Sequence, residues 1–556
     1  MTAQPSSPVD RSEQPDRGPV VAAAGTAAPT APGAGSTSAA VDAPAGATPA
    51  ASTPAVPAPA ASAPRATWRD RFGHPPRGIL LLGLTGAVLM ALGGFGAGGV
   101  LVRDPVLTNS ALGFWRYGHG REIATALVYL GVGLIAWAWV RLGREVIARR
   151  VGGRAVLSTA AAWLGPVLLC PPLFTRDIFS YLAQGALPLA GLDPYAVGPE
   201  ALPGIFTDNV HYFWQDTPAP YGPLFILYAK GVAWLAGDTI VLGVVLMRLA
   251  LLPGLLLLVW AVPELTRRMG GRPALALWIA VANPMTIVHM VGGGHNDLLV
   301  VGLLAASALV ALRGQHAGGI ALATAAMAVK ASAGIALPFL VLVWAATLPG
   351  SRLARTLRAG VYGIAVFVPV FALCTVAAGV GLGWLPALSA PSMIVNWLSP
   401  PTALGQLTHT LVNLVWPVPM QPFVNVARAI GATVLLVVAV RQWWAARDGG
   451  PDALRRAGIV LIAVALLSPT TLPWYLSWGI ALLAMVDWTE RGLQLMVFVS
   501  LFLLVVYYPD GEAALYDLLV LGVGIALAAL AAVSLVRPDP LGLRRATPVE
   551  HARAAR

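Results

Sequence analysis

Long apolar runs, separated by short charged segments, fill most of the chain between about residue 76 and residue 537. Most of these runs hold about 17–25 residues, the length that an α-helix needs to cross the hydrocarbon core of a membrane. The pattern therefore predicts an all-α polytopic membrane protein with about 14 transmembrane helices. The clearest predicted helices cover approximately residues 79–102, 123–140, 156–174, 239–262, 273–290, 298–312 and 359–379.

Two intervals, at about residues 175–238 and 380–422, interrupt the apolar pattern for long enough to form loops. The first interval ends in a short apolar stretch at about residues 224–235, which predicts a helix lying at the membrane surface. The apolar run at about residues 318–348 is too long for one helix, and its middle carries Lys330. We expect two short helices there, with Lys330 near their apex.

Arginines are concentrated in alternate connections between the predicted helices, and this predicts the orientation of the chain. Arg141 and Arg144 mark one such connection, which the positive-inside rule places in the cytoplasm. The same rule places both termini in the cytoplasm and both long loops on the outer face of the plasma membrane.

Three domains follow from this organisation. Residues 1–75 are rich in Ala and Pro and poor in large apolar side chains, which predicts a disordered cytoplasmic tail. Residues 76–537 form the predicted transmembrane domain, with its outer loops at 175–238 and 380–422. Residues 538–556 form an Arg-rich cytoplasmic tail.

The composition supports a membrane protein and excludes several other classes. The chain is 57% hydrophobic and only 11% charged, about half the charged fraction of a typical soluble protein. Its net charge of +11 is attributed to membrane orientation, so no nucleic-acid partner is expected. The two cysteines, Cys170 and Cys374, lie in apolar runs and are too few for a disulfide framework or a cysteine-based zinc site. No nucleotide-binding motif and no HExxH zinc motif occurs in a suitable context, so no cofactor is predicted.

Asp177 is the leading catalytic candidate, because it follows Arg176 where a predicted helix leaves the membrane. Burial beside aromatic and apolar residues raises the basicity of a carboxylate. A general base that removes a proton from a sugar hydroxyl needs that property. The alternative is an acid that only solvates the helix end or pairs with Arg176.

His295, Asn296 and Asp297 form a second candidate group, directly after three glycines. Glycines let the backbone approach a ligand closely, and the His and Asp side chains can bind sugar hydroxyls or a phosphate. The alternative is a plain polar turn between two helices. One His and one Asp are too few ligands to argue for a metal ion.

Lys330 is one of only two lysines among the 36 Lys and Arg residues, the other being Lys230. A lysine presents a compact charge that suits a phosphate, and a cation inside a membrane is a candidate functional group. The alternative is an ammonium that extends to the membrane surface. Arg248, inside a predicted helix, has the same two interpretations, and we favour a structural role for it.

Aromatic residues of the predicted outer segments suit stacking against sugar rings. They equally suit the aromatic belt at a membrane surface. The substrate-binding candidates among them are Tyr181, Tyr221, Trp474 and Tyr475.

Five stretches of the chain are specific when they are taken together. They are RDIFSYLAQG at 176–185, LDPYAVGP at 192–199, TPAPYGPLF at 217–225, NPMTIVHMVGGGHND at 283–297 and SPTTLPWYLSW at 468–478. With these motifs, the chain resembles the actinobacterial polyprenol-phosphomannose-dependent α-1,6-mannosyltransferases of the membrane GT-C superfamily. The resemblance covers about residues 80–535 and excludes both tails.

The resemblance implies a GT-C fold with an extracytoplasmic active site. It implies a β-linked polyprenyl-phosphate mannose donor and, as acceptor, an α-1,6-mannan growing on a lipid anchor, the core of lipomannan and lipoarabinomannan. Transfer would then invert the anomeric carbon. The essential acid that the superfamily carries in an early outer loop maps onto Asp177, which would be the base.

Further roles follow from the same resemblance. Arg176, Lys330 and His295 would neutralise the leaving phosphate. Asn296 and Asp297 would position the donor or the acceptor.

Two features of the chain bear on its place within the family. Many superfamily members carry paired acids in the early loop, whereas Asp177 stands alone. This fits a lipid-phosphate donor without a metal, but it leaves metal dependence open. The long Ala/Pro-rich N-terminal extension favours the B form of the family (MptB-like), which makes the proximal mannan.

Two other functions are compatible with the helix pattern. One is a GT-C transferase that uses a different lipid-phosphate sugar, such as arabinose. The other is a transporter or flippase of lipid-linked sugars, which would show inverted repeats and charges along a midplane path. Neither feature is evident in the sequence.

Overall fold

The computed structural model of the chain describes residues 75–104, 107 and 110–542. Within these residues the fold is all-α, as predicted, with one isolated antiparallel bridge between Tyr507 and Ala513 and no β-strand. The predicted tails at 1–75 and 538–556 lie outside the described residues, apart from residue 75 and residues 538–542.

The helices follow one another closely along the described chain. The first nine α-helices are α1 (Arg77–Ala97), α2 (Gly118–Ile147), α3 (Gly153–Leu169), α4 (Asp177–Ala186), α5 (Pro223–Ala236), α6 (Ile240–Arg268), α7 (Pro273–Ala280), α8 (Asp297–Leu312) and α9 (His316–Val329). The remaining α-helices are α10 (Leu337–Ala345), α11 (Arg352–Ala378), α12 (Trp384–Ala387), α13 (Pro400–Asn413), α14 (Gln421–Ala445), α15 (Gly450–Leu467), α16 (Leu476–Leu483), α17 (Glu490–Leu504) and α18 (Leu518–Val536). A π-helix, Met285–Gly292, lies between α7 and α8. Short 3₁₀ segments are Ala111–Arg116, Leu187–Ala190, Pro199–Ala201, Thr207–Asn209, Tyr212–Trp214, Ala331–Ala336, Ala390–Met393 and Pro473–Tyr475.

Six of the described helices are long and apolar enough to cross a membrane, namely α1, α2, α6, α11, α14 and α18. The number rises to seven if α7 and the π-helix, bent by 47° at their junction, count as one span. Several further helices are apolar but hold only 10–17 residues. The long apolar helices indicate a multi-pass membrane protein, whereas about 14 spans and cytoplasmic termini stay predictions.

Glycines set the closest helix contacts in the described core. A Cβ atom on Gly86 of α1 would lie 2.7 Å from the carbonyl oxygen of Gly131 in α2. Gly254 of α6 and Gly302 of α8 face each other in the same way, with a Cβ on Gly302 only 2.0 Å from the Gly254 oxygen. Small residues allow helix backbones in a membrane to approach each other this closely. These contacts hold α1 against α2 and α6 against α8.

Both predicted outer loops contain helices. The interval 175–238 includes α4 and α5, and α5 matches the short helix predicted at 224–235. The interval 380–422 includes α12 and α13. Helix α13 begins with two prolines after Ser399, whose hydroxyl accepts the N–H of Thr402. That is a common start for a helix, because proline has no N–H to leave unpaired in the first turn.

Three interruptions of the helical pattern carry the candidate residues. The first separates the π-helix from α8. The second is at Lys330, where α9 ends and the backbone is extended; a break between two short helices was predicted at this residue. The third is the 3₁₀ segment Pro473–Tyr475 before α16. Broken helices are tolerated at membrane depth where they are buried in protein or line a cavity. These breaks therefore place polar side chains in the interior.

Candidate active site

Asp177 is the first residue of α4, and the segment before it is held by backbone contacts. Phe174, in the left-handed region with φ of 60°, donates its N–H to the carbonyl of Pro509 at 2.8 Å. The Thr175 hydroxyl accepts the N–H of Asp177 at 3.0 Å. A carboxylate at a helix start is favoured by the helix dipole. The Asp177 side chain keeps 18% of its surface exposed, so it remains accessible from a cavity.

The glycines before His295 pack against the Asp177 segment. A Cβ atom on Gly293 would lie 2.7 Å from the Thr175 methyl, and Gly294 has φ of +73°. A Cβ on Gly294 would lie 2.7 Å from Ile178. The sequence suggested that these glycines allow a ligand to approach the backbone. In the structure they allow two segments of the protein to approach each other.

This contact brings His295 to Asp177. Nδ1 of the buried His295 ring lies 3.3 Å from Oδ2 of Asp177. The indole of Trp474 stacks on the same imidazole, with ring centroids 3.6 Å apart and planes inclined by 24°. The 3₁₀ segment after α15 thus fixes the plane of the histidine, and the histidine contacts the carboxylate.

The surroundings of Asp177 act on its acidity in opposite directions. Burial raises the pKa of Asp177, but the neighbouring His295 ring, the charge of Lys330 and the Thr175 hydroxyl lower it. The net effect holds the pKa of Asp177 below its ordinary value. The expectation that burial would raise the basicity of Asp177 is therefore wrong. The side chain is instead an ionised carboxylate at neutral pH, so its proton-accepting form is fully populated although it is a weaker base than an ordinary aspartate.

Replacing His295 by phenylalanine is expected to move the acidic limb of the pH profile of kcat/KM to higher pH by about 1 unit or more. Phenylalanine keeps a ring against Trp474 but removes the group that lowers the Asp177 pKa, while burial still raises it. More Asp177 is then protonated at mildly acidic pH, and transfer is lost there first. Initial rates between pH 4 and 9 measure this shift, with pH values chosen around the ordinary carboxyl range.

His409 provides the control for that experiment. Its Nε2 contacts the carbonyl of Val418 in the segment after α13, and it lies outside the contacts of Asp177. His409→Phe is expected to leave the acidic limb in place. An unchanged limb in His295→Phe would show that His295 does not set the charge of Asp177.

Lys330 is bound to Asp297 inside the protein. Its Nζ lies 3.0 Å from Oδ1 and 2.9 Å from Oδ2 of Asp297. The indole N–H of Trp478 also donates to Oδ1 of this carboxylate, which is fully buried. Asp297 thus holds Lys330 in place, and its predicted contact with substrate stays a prediction.

Three aromatic rings surround the same ammonium. Nζ of Lys330 lies 4.8 Å from the ring centroid of Tyr475, 5.4 Å from that of Trp478 and 6.0 Å from that of Tyr221. Cation–π attraction stabilises a partly desolvated charge in such a setting. An ammonium has three N–H donors, so the two oxygens of Asp297 leave one for another acceptor.

Tyr221 reaches this position because the next residue is glycine. A Cβ on Gly222 would lie 2.3 Å from the carbonyl oxygen of Ala328, and the Gly222 N–H donates to Val329 at 3.1 Å. Tyr181 packs edge-on against Tyr221, with centroids 5.3 Å apart, and is itself buried. Tyr181 therefore supports the aromatic wall, and its predicted contact with substrate stays a prediction.

Two other predicted site residues have surroundings that the sequence did not indicate. Asn296 is fully buried, and its side-chain amide has no hydrogen-bond partner within the described part of the chain. Arg176 donates to the backbone carbonyls of Asn209 at 3.0 Å and Val100 at 3.1 Å. Arg176 thus ties the Asp177 segment to two loops, and its role toward a phosphate stays a prediction.

Arg248 makes contacts that agree with the structural role we favoured for it. It is buried in α6 and donates to the carbonyls of Leu168, Cys170 and Gly292. These carbonyls lie at or just past the ends of α3 and the π-helix, where negative helix dipoles favour a cation. The chain continues from Cys170 to Asp177 and from Gly292 to His295. Arg248 therefore stabilises both segments that meet at the contact between Asp177 and His295.

Two cavities meet at Asp177. The first, which we call the lysine cavity because Lys330 lines it, has a volume of about 280 Å³. Its walls include Asp177, Trp214, Tyr221, Lys330, Ser332, Leu472, Trp474, Tyr475 and Trp478. The second, which we call the glutamate cavity because Glu512 lines it, has a volume of about 220 Å³. Its walls include Arg176, Asp177, His211, Tyr212, Phe213, Trp214, Asn396, Leu472, Trp474, Glu512 and Tyr516. Asp177, Trp214, Leu472 and Trp474 belong to both, so one carboxylate is accessible from two spaces.

Known proteins with the same sequence features are transferases of mannose. Residues 80–346 match the family described as alpha-(1->6)-mannopyranosyltransferase, N-terminal domain. Residues 401–537 match the MptB C-terminal domain. The chain is 42% identical to alpha-(1->6)-mannopyranosyltransferase A of Mycobacterium tuberculosis, over 85% of this chain and 93% of that protein.

The chain belongs to the alpha-(1->6)-mannopyranosyltransferase family. This confirms the resemblance that the five sequence motifs indicated, and it supports mannosyl transfer as the activity. Form A from Corynebacterium glutamicum is 31% identical over 80% of this chain and 96% of its own length. Form B from the same organism is 30% identical over 74% of this chain and 73% of its own length. No solved structure matches the chain.

The preference for the B form is not supported by these identities. The M. tuberculosis A form shares 42% of its aligned residues with this chain, against 30% for the C. glutamicum B form. The N-terminal extension on which the preference was based lies outside the matched regions, which begin at residue 80. Residues 401–537 match the MptB C-terminal domain, whereas the highest of these identities is to an A form, so the preference for the B form stays a prediction.

The described residues contain no group of three or more His, Cys, Asp or Glu side chains that could hold a metal ion. Asp177 has one such neighbour, His295, and Asp297 is bound by Lys330 and Trp478.

Sequence reasoning missed some residues that line the cavities or hold Lys330. Trp478 was quoted only as part of a motif, although it lies four residues after Trp474 and so one helical turn further on. His211 and Glu512 come from segments about 300 residues apart, and Nε2 of His211 lies 3.4 Å from Glu512 Oε1. The sequence carries no signal for that pairing, because it depends on tertiary contact alone.

Proposed function

We propose that this protein transfers mannose from polyprenyl-phosphate mannose to a growing α-1,6-mannan on a lipid anchor. The transfer inverts the anomeric carbon and takes place at the extracytoplasmic face of the plasma membrane. The observation that supports the proposal is the carboxylate of Asp177 at the junction of two cavities, one of which carries the ammonium of Lys330. Two cavities suit a reaction with two substrates, and the ammonium suits a phosphate.

In this reaction Asp177 accepts the proton of the acceptor 6-hydroxyl, whose oxygen forms a bond to the anomeric carbon of mannose. The bond between that carbon and the phosphate oxygen breaks, and the electron pair leaves with the polyprenyl phosphate. Lys330 in the lysine cavity stabilises the leaving phosphate with its remaining N–H donor. His295 orients Asp177 and keeps it ionised.

The aromatic residues provide faces for the sugars. Trp474 and Tyr475 line the lysine cavity, and Tyr221 lies next to them. The apolar faces of a hexose pack on such rings, while its hydroxyls bind polar groups at the rim. Asn296 and Asp297 support this site from inside, the second by holding Lys330.

Membranes that carry the full chain test the proposal, with radiolabelled polyprenyl-phosphate mannose as donor and an alkyl α-1,6-mannobioside as acceptor. We expect label in a trisaccharide, from which an α-1,6-specific exomannosidase releases the labelled mannose. GDP-mannose added in place of the lipid donor is expected to give none, since no nucleotide-binding motif is present. Transfer of arabinose from its polyprenyl phosphate, without transfer of mannose, would contradict the donor assignment.

A further inference from the structure

We infer that the glutamate cavity is the start of a groove for an oligosaccharide of at least two α-linked mannose units, the acceptor chain. The inference rests on the proposed function and adds residues that recognise the chain beyond its reacting unit. The cavity of about 220 Å³ includes Asp177, so a hydroxyl bound there lies beside the proposed base. Such a space accommodates one hexose, and any further units must lie over the surface next to it.

That surface carries the exposed rings of Tyr212 and Phe213 beside the largely buried ring of His211. His211, Tyr212 and Phe213 stack in sequence, with centroids of neighbouring rings 4.4 and 4.5 Å apart. Tyr212 is 62% exposed and Tyr516, on another loop, is 66% exposed, yet both line the cavity. Rings that are open to solvent beside a cavity give a sugar chain flat apolar faces to pack against.

Polar groups stand between these rings. Nδ1 of His211 accepts the N–H of Phe213 at 3.3 Å, so in the neutral ring Nε2 carries the proton and faces Glu512 at 3.4 Å. Glu512 is half-exposed and retains acceptor capacity for sugar hydroxyls. Asn396 is buried, and its Oδ1 has no hydrogen-bond partner among the residues that the structure describes. Asn396 is one of the residues that line the cavity, and a hydroxyl donor that reached its amide oxygen would satisfy it.

The groove is built onto the catalytic segment. A Cβ atom on Gly511, which has φ of +98°, would lie 3.0 Å from Cα of Thr175. The loop that carries Glu512 thus packs directly on the residues before Asp177. An oligosaccharide held by this loop has a fixed distance to the carboxylate, which favours productive orientation of its terminal unit.

Acceptor length provides the test. Wild-type enzyme, with polyprenyl-phosphate mannose, is compared on alkyl glycosides of α-1,6-mannobiose and α-1,6-mannotetraose. We expect a lower KM for the tetraose in the wild type. Tyr516→Ala and Phe213→Ala are each expected to raise the KM for the tetraose by about 10-fold, as the loss of one ring contact predicts. The KM for the donor and kcat at saturating acceptor should stay within about twofold.

Tyr117→Ala is the matched control, because Tyr117 is a tyrosine of similar exposure, 71%, outside both cavities. It is expected to preserve the preference for the longer acceptor. If Tyr516→Ala and Phe213→Ala keep that preference, or lower kcat equally for both acceptors, the groove assignment is wrong. If the wild-type enzyme transfers no mannose at all, the proposed function fails instead.

Discussion

Asp177→Asn is expected to lower kcat for mannose transfer by about 10³-fold, within the 10²–10⁴-fold range of general-base catalysis. Asparagine has the same shape as aspartate, but its amide accepts no proton. The Thr175 hydroxyl accepts the backbone N–H of residue 177 at 3.0 Å whatever its side chain is, and an amide oxygen can replace the carboxylate in the 3.3 Å contact with His295. The variant should therefore fold and bind the lipid donor while the chemical step fails.

Initial rates at saturating donor and acceptor measure this loss, and donor binding is measured separately with the radiolabelled lipid. Asp448→Asn provides a control, because Asp448 is an exposed carboxylate paired with Arg352 at 3.0 Å, remote from both cavities. That variant is expected to retain wild-type rates. Transfer by Asp177→Asn within tenfold of the wild type, at equal expression, would rule out Asp177 as the base.

The all-α membrane fold could be predicted because length and hydropathy report directly on helices in a membrane. The number of membrane-spanning helices could not be predicted. Helices such as α3, α8 and α9 are apolar but too short to be assigned as crossings by length and composition. The break at Lys330 was predicted correctly, since a lone charge inside an apolar run disfavours continuous burial.

Several of the residues predicted as site candidates line the two cavities, but their contacts were not predicted. Asp177 and Arg176 are neighbours in the chain, yet Arg176 donates to two backbone carbonyls while Asp177 contacts His295. Successive residues at a helix start diverge by about 100°, so adjacency in sequence does not imply a shared site. The depressed pKa of Asp177 depends on His295, more than 100 residues further on, and no local pattern carries that information.

The largest expected effect on stability comes from the ion pair between Lys330 and Asp297. Lys330→Met is expected to destabilise the protein by about 3–5 kcal/mol, because it leaves the carboxylate of Asp297 fully buried with Trp478 as its remaining donor. The same variant should raise the KM for the lipid donor by about 10–100-fold, since the phosphate loses a charge-assisted hydrogen bond. Thermal unfolding in detergent and donor-dependent rates measure the two effects separately.

The double variant Lys330→Met/Asp297→Asn separates the structural role of the pair from its role toward the donor. Removal of both charges takes away the unpaired buried carboxylate, so most of the lost stability should return. The KM for the donor should stay high, because Lys330 is the only Lys, Arg or His among the described residues that line the lysine cavity. If the double variant instead regains normal donor affinity together with its stability, Lys330 serves only to neutralise Asp297. The phosphate would then have to be bound elsewhere in the cavity. The two measurements thus distinguish an ammonium that contacts the substrate from one that only satisfies the protein interior.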